Sequence, residues 1–337
     1  MHMANELLSP PVAVAACTIA AGGLGLICHR AKQIITSDRL PLMGILGAFI
    51  FAAQMVNIRL PLMPGTSGHM IGAVLVAIIL GPAAGAIVIS SVVIIQCLIF
   101  QDGGLLALGC NIINMAIVPS YLGYFLYKTI TSGSYTSRKV YIGAVLACVI
   151  AVEAGAVLVP IQTALSGVLV VPFATFLITM SGVHLLVGLV EGVITVAVLA
   201  YLKQLRPDIL ADTLGGTVRL SKKAVLITFA LFTVAIGGGL CLLASEMPDG
   251  LEWSYAERPN QPDFEPFISN ENPAIAAVDD LQSKYSPMPD YSVRSATQAD
   301  VSRGWTSFAG ITGSLLTMLT VWIIARVLQK KPLPQTG

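Results

Sequence analysis

Charge is what this sequence has least of. Of its 337 residues, 18 are acidic and 19 basic, only 11% in all, where soluble domains carry about 25%. With 55% hydrophobic residues and a mean hydropathy of +0.80, that scarcity excludes an ordinary soluble domain and points to an integral membrane protein. Paired cysteines are missing too. Cys17, Cys28, Cys97, Cys110, Cys148 and Cys241 are scattered singly in apolar runs, which excludes a disulfide framework or a cysteine metal cluster. No GxxxxGK(S/T) phosphate loop is present, so any ATP-derived energy has to come from elsewhere. No HExxH or GxSxG supports an intramembrane hydrolase. No basic stretch precedes the first apolar run, so the start Met-His-Met-Ala-Asn-Glu is expected to be kept and not cleaved as a signal peptide. No pair of equivalent halves, the mark of many secondary transporters, is visible.

What is present is a series of apolar runs, each near the ~20 residues that a spanning helix needs. They lie at 10–28, 41–57, 69–81, 83–99, 105–127, 140–164, 173–202, 223–245 and 306–327. The third is short, so a full crossing is left open for it, and Leu80-Gly81-Pro82 joins it tightly to the fourth. With the N-terminus outside and the runs alternating, fourteen bases fall on the inner side: Arg30, Lys32, Arg39, Lys128, Arg138, Lys139, Lys203, Arg206, Arg219, Lys222, Lys223, Arg326, Lys330 and Lys331. Lys and Arg favour cytoplasmic loops, so the expected orientation is N-terminus out and C-terminus in. The stretch 246–304 becomes an external loop, acidic and proline-rich, and its composition predicts mobility. A cytoplasmic linker is expected at 206–222, separating 1–205 from 223–330.

Polar groups at membrane depth each ask for a reason. The chain has four histidines, His2, His29, His69 and His184. His29 is read as a solvated flank. His2 and His69 both fall on the external side. A free Met1 amine, the His2 amide nitrogen and the His2 imidazole can close two fused chelate rings, and one more imidazole completes a tetragonal nitrogen set of the kind that suits Ni(II) or Cu(II). The plain alternative is an incidental second-position histidine and a satisfied polar group at a helix start. Asp102 is placed to pair with Arg59, to hydrogen-bond a ligand histidine, or to cap a helix. Asn111 and Asn114 share a helix face and suit contacts between helices, or a place behind the ligands with Ser67. His184 and Glu191 share a face of the seventh run. With Glu153, they either line an ion path or lock helices together.

These residues also carry a resemblance. Met1-His2-Met3, Met55-Val56-Asn57, Gly65-Thr66-Ser67-Gly68-His69, Leu80-Gly81-Pro82, Phe100-Gln101-Asp102-Gly103-Gly104 and Leu108-Gly109-Cys110-Asn111-Ile112-Ile113-Asn114-Met115 resemble the CbiM/NikM family. These are substrate-specific (S) components of energy-coupling factor (ECF) transporters for cobalt and nickel. Pro248-Asp249-Gly250-Leu251-Glu252 resembles the small CbiN/NikN component, so the chain looks like a fusion of the two. The resemblance implies an all-α integral membrane protein, with a seven-helix S-component bundle plus two further transmembrane helices flanking an external loop. It implies one transported Ni2+ or Co2+ held through Met1, His2 and His69, and no prosthetic group. It implies a CbiQ/NikQ-like coupling subunit and CbiO/NikO-like ATPase subunits as partners, in a lipid surrounding with no nucleic acid. Here Met3-Ala4-Asn5-Glu6 departs from the commoner family start. The competing reading is a gradient-driven cation permease or a membrane scaffold with incidental histidines.

Overall fold

A computed structural model describes residues 1–37, 39–132, 136–205, 221–293 and 303–329. The expected linker at 206–222 lies almost wholly outside the described residues. Helices dominate: α1 (Pro10–Ala31), α2 (Leu40–Gln54), α3 (Ala73–Leu80), α4 (Pro82–Phe100), α5 (Leu108–Asn111), α6 (Val118–Thr131), α7 (Ser137–Ser166), α8 (Phe173–Leu205), α9 (Lys222–Gly238), α10 (Gly250–Tyr255), α11 (Pro273–Tyr285) and α12 (Arg303–Leu328). A two-stranded ribbon pairs β1 (Ile58–Arg59) with β2 (Ser67–Gly68). Prolines open α1, α2, α4 and α11, where their fixed φ fits and their missing N–H costs nothing. Thr136 and Ser221 cap α7 and α9 through their side chains.

Among the described residues, six helices are long and apolar enough to cross a membrane: α1, α4, α7, α8, α9 with its following turn, and α12. α2 is apolar but has 15 residues, and Leu108–Thr131 runs through α5, a wider π turn at Ile112–Ile117 and α6. The short third run does not form a spanning helix. α3 has only eight residues, all buried, and at about 1.5 Å per residue it cannot cross a hydrocarbon core of ~30 Å by itself. The four residues before it are not helical, and the last of them, Gly72, stands at φ +78°, where a side chain would run into Ile50. Outer faces of the long helices carry exposed Val14, Ile19, Phe125, Leu165, Val193, Leu231 and Val327, as lipid contact requires.

α3 and α4 form the centre. α4 touches α1, α2, α3, α6 and α12; α7 pairs with α6 and α8; α2 carries α9 and α12. Small residues make these approaches close. A side chain on Gly310 would strike the Gly237 backbone where α12 meets α9. The helix order sorts charge to the two ends. Arg30, Lys32, Arg39, Lys128, Arg138, Lys139, Lys203, Lys222, Lys223 and Arg326 gather at the end where Arg39 reaches the Leu80 carbonyl (3.5 Å). Every described acid outside α7 and α8 lies at the opposite end, around Met1.

The acidic segment departs from its expected mobility. Its described part, 246–293, folds over the Met1 end as a cap. Phe267 and Ser269 bond the backbone of Val170 and Val168 in the α7–α8 turn, and Ser245 donates to the Asn57 carbonyl (2.8 Å). Leu251, Trp253, Tyr255, Phe267 and Ile275 are buried beneath it.

Candidate metal centre

The chain start is threaded inward between the cap and the helices. Asn111 holds the Met3 peptide on both sides, accepting from its N–H (2.8 Å) and donating to its carbonyl (3.2 Å). Gly104 donates to the same carbonyl (2.9 Å), and a side chain at Gly104 would strike Asn5. Asn114 pairs with Gln162 (2.8 and 2.9 Å) and lies 3.5 Å from the Met3 sulfur. The two asparagines therefore position residue 3, and among the described residues neither is hydrogen-bonded to a histidine. Asn111 precedes the π-widened turn and Asn114 lies within it, a distortion that often marks functional sites.

This threading brings Met1, His2 and His69 together. The Met1 amine is 3.4 Å from His69 Nε2, and the His2 and His69 rings stack with centroids 5.4 Å apart. Burial, then the Met1 ammonium and His2, push the His69 pKa down to about 3. Burial also lowers that of His2. Both imidazoles are therefore neutral near pH 7, the form that can ligate a metal. Among the described residues no three or more His, Cys, Asp or Glu side chains converge into a metal cluster. The candidate donor set is instead backbone and imidazole nitrogen.

Asp102 lies beside His2, its Oδ1 3.1 Å from Nδ1, and the Tyr291 hydroxyl of the cap donates to its other oxygen. It is not brought to Arg59, which sits exposed on β1. His2 Nε2 faces Gln96 Oε1 at 3.0 Å. Ser67 does not contact a histidine. Its hydroxyl donates to the Met247 carbonyl (2.8 Å), and its N–H to that of Pro248 (2.9 Å), tying β2 to the cap.

Sequence reasoning passed over Asp249 as a site residue. Its carboxylate takes the Met1 ammonium at 2.7 Å and caps α10 by accepting from the Leu251 and Glu252 N–H groups. Burial alone would raise its pKa, but the adjacent ammonium outweighs it and holds the carboxyl well below the usual range. The signal was present: an aspartate before Gly-Leu-Glu is a helix-start pattern in the segment already singled out.

Glu191 locks helices. It accepts from the Ile71 (2.7 Å) and Gly72 (3.1 Å) N–H groups, binding the start of α3 to α8 just beyond His69. His184 Nδ1 bonds the Met180 carbonyl (2.8 Å), and its ring packs under Gly250 of the cap. Glu153 is not brought to His184; it lies beside Ser181.

Comparison with known proteins gives two adjoining family matches. Residues 2–209 match a family described as the cobalt uptake substrate-specific transmembrane region, CbiM. Residues 223–330 match the PDGLE domain. The chain is 36% identical to a fused nickel transport protein by name, NikMN of Archaeoglobus fulgidus, across 70% of this chain and 77% of that one. It is 32% identical to a second fused nickel transport protein by name, LarMN of Lactiplantibacillus plantarum, across 76% and 79%. A crystal structure of a truncated transition metal transporter is 29% identical with a TM-score of 0.54, covering 60% of this chain and 98% of that one.

Proposed function

This chain belongs to the CbiM family, with a PDGLE domain joined behind it, and we propose that it captures Ni(II) or Co(II) for ATP-driven import by an ECF-type transporter. The chain is a multi-pass membrane component of nickel or cobalt uptake and not an enzyme. In the proposed reading, the ion is the transported substrate, held by the Met1 amine, the His2 amide and imidazole, and the His69 imidazole. One observation carries it. The Met1 amine and His69 Nε2 face one another at 3.4 Å, buried, with the His2 ring stacked alongside, roughly half an ångström wider than the ~2.9 Å edge of a nitrogen square built on metal–nitrogen bonds of about 2.0 Å.

A tetragonal nitrogen set favours nickel. The chain lacks a phosphate loop, so coupling and ATPase subunits of the CbiQ/NikQ and CbiO/NikO kind supply the energy. The segregated charges support an orientation with the basic end in the cytoplasm and the Met1 end and cap outside. The working units are 1–205 for capture and 223–330 for the cap-bearing module, with 206–222 as linker.

The purified full chain is expected to bind about one Ni(II) per molecule, with Met1 carrying the free amine. Adding one residue ahead of Met1 moves the amine out of the chelate and abolishes binding. Unchanged binding by the extended chain sinks this reading and returns the permease or scaffold alternative.

A further inference from the structure

We infer that Gln54 and Gln96, neither of which is a proposed ligand, are positioning residues that leave Nδ1 of His2 as its bare nitrogen, ready for the ion. This deepens the nitrogen-ligand reading above and rests on it. His2 presents a puzzle. Both its ring nitrogens face oxygen acceptors, Nδ1 toward Asp102 at 3.1 Å and Nε2 toward Gln96 at 3.0 Å. A neutral imidazole has only one N–H, so one of the two contacts lacks a hydrogen.

The polarity is set from a group that has a single role. The Ile71 carbonyl can only accept, and it lies 2.7 Å from the Gln54 amide nitrogen. Gln54 therefore turns its nitrogen to Ile71 and its oxygen to Gln96. Gln96 meets that oxygen with its own nitrogen, 2.8 Å away. Its remaining oxygen faces His2 Nε2 and takes its hydrogen from there, whereas the Asp102 carboxylate opposite Nδ1 already accepts from the Tyr291 hydroxyl; the amide oxygen therefore selects the tautomer with hydrogen on Nε2. Turning either amide over would set like groups against each other in a site where Gln54 is 4% and Gln96 0% exposed. The anchor itself is fixed from behind, because Glu191 holds the Ile71 N–H.

His69 reaches the complementary tautomer directly. Its Nδ1 donates to the Met70 carbonyl at 3.1 Å, leaving bare the Nε2 that faces the Met1 amine. Two successive carbonyls, Met70 and Ile71, thus orient both imidazoles, one by contact and one through two glutamines. An outer partner on the far ring nitrogen is how proteins commonly fix a metal-bound histidine. The bare Nδ1 of His2 then stands against the Asp102 carboxylate, two electron-rich atoms that together attract a cation.

The test uses the full chain in detergent, labelled with a nitrogen isotope at histidine, stripped of metal by chelator and observed by NMR. Wild-type His2 is expected to carry hydrogen on Nε2, and His69 on Nδ1. Hydrogen on Nδ1 of wild-type His2 overturns the inference without reference to any variant. Gln54→Leu frees Gln96 to turn over, so His2 moves its hydrogen to Nδ1 and Ni(II) affinity falls about 10–100-fold, while the His69 signals stay in place. Gln54→Glu, held protonated by its burial, donates its hydroxyl to the Ile71 carbonyl, keeps its other oxygen facing Gln96, and is expected to keep the His2 tautomer and bind within a few-fold of wild type. An unmoved His2 tautomer or unmoved affinity in Gln54→Leu overturns the inference, as does loss of binding in Gln54→Glu. Because the tautomers are read without metal, their outcome is separate from the one-residue extension that tests nitrogen ligation itself.

Discussion

The two matched parts of the chain meet around Met1 and bring different chemistry to it. Residues 2–209 supply neutral nitrogen, in His2 and His69, on segments held by Asn111, Glu191 and two glutamines. Residues 223–330 supply oxygen, through the Asp249 carboxylate on the amine and the Tyr291 hydroxyl on Asp102. In the proposed reading the nitrogen donors set which ion is held, and the oxygen groups set how the donors stand. A ligand removed from the first part should therefore cost affinity, whereas a contact removed from the second should loosen the cap.

The largest effect is expected from His69→Ala, with Ni(II) affinity falling by more than the ~100-fold typical of a lost outer partner. A folded-state pKa lowered to about 3 means that a proton competes for this imidazole only in strong acid. The ratio of wild-type to variant affinity should therefore be flat between about pH 6 and 8, as checked by competition titration. A ratio that shrinks toward acid would break the assignment of His69 as a neutral donor.

Next comes Asp249→Ala, which strands the buried Met1 ammonium and uncaps α10. Because Asp249 is 20% exposed, the cost is set at about 2–4 kcal/mol, below the full penalty for breaking a buried pair. Hydrogen-exchange protection of α10 should then fall about 30–1,000-fold. Asp249→Asn keeps a good helix cap and loses only the charge, so about half that effect is expected. Equal effects from the two variants would mean that the cap adds nothing beyond the ion pair, and an Asp249→Asn that behaves as wild type would mean that the ion pair contributes nothing to docking. The linkage sign is that of a depressed carboxylate. The docking contribution is present above the unfolded pKa of about 3.9 and is lost only as pH falls below it. The smallest effect is Ser67→Ala, about 1 kcal/mol for its hydroxyl contacts to Met247 and Pro248, read as a modest rise in cap exchange.

The long helices were legible because uniform apolar runs of spanning length have few other uses. α3 was not, because an apolar run from 69 to 81 hides where helix begins; the decisive feature is the backbone of Gly72, at φ +78°. The cap was misread for the opposite reason. Its polar, proline-rich composition suggests mobility, but Leu251, Trp253, Tyr255, Phe267 and Ile275, spread along the segment without period, are enough to seat it. Within the site, Met1, His2 and His69 could be gathered from chelate chemistry and the resemblance. Gln54 and Gln96 could not, since a glutamine in an apolar run carries no sign of its direction. Asn114 makes the contact between helices that its face suggested, to Gln162, whereas Ser67 holds the cap and Asn111 the backbone of residue 3, because sequence proximity to a histidine does not say which backbone a side chain holds.

The grip on residue 3 has a consequence for how freely the chain start can vary. Asn111 reads the Met3 peptide unit, both its N–H and its carbonyl, and not the side chain. Any third residue that fills the same buried space can be gripped in this way, which makes the departure from the commoner family start tolerable. Length is another matter. With residue 3 clamped, the two residues ahead of it act as a ruler between Asn111 and His69. Substitution at position 3 leaves the ruler intact, whereas insertion or deletion of one residue changes what it measures.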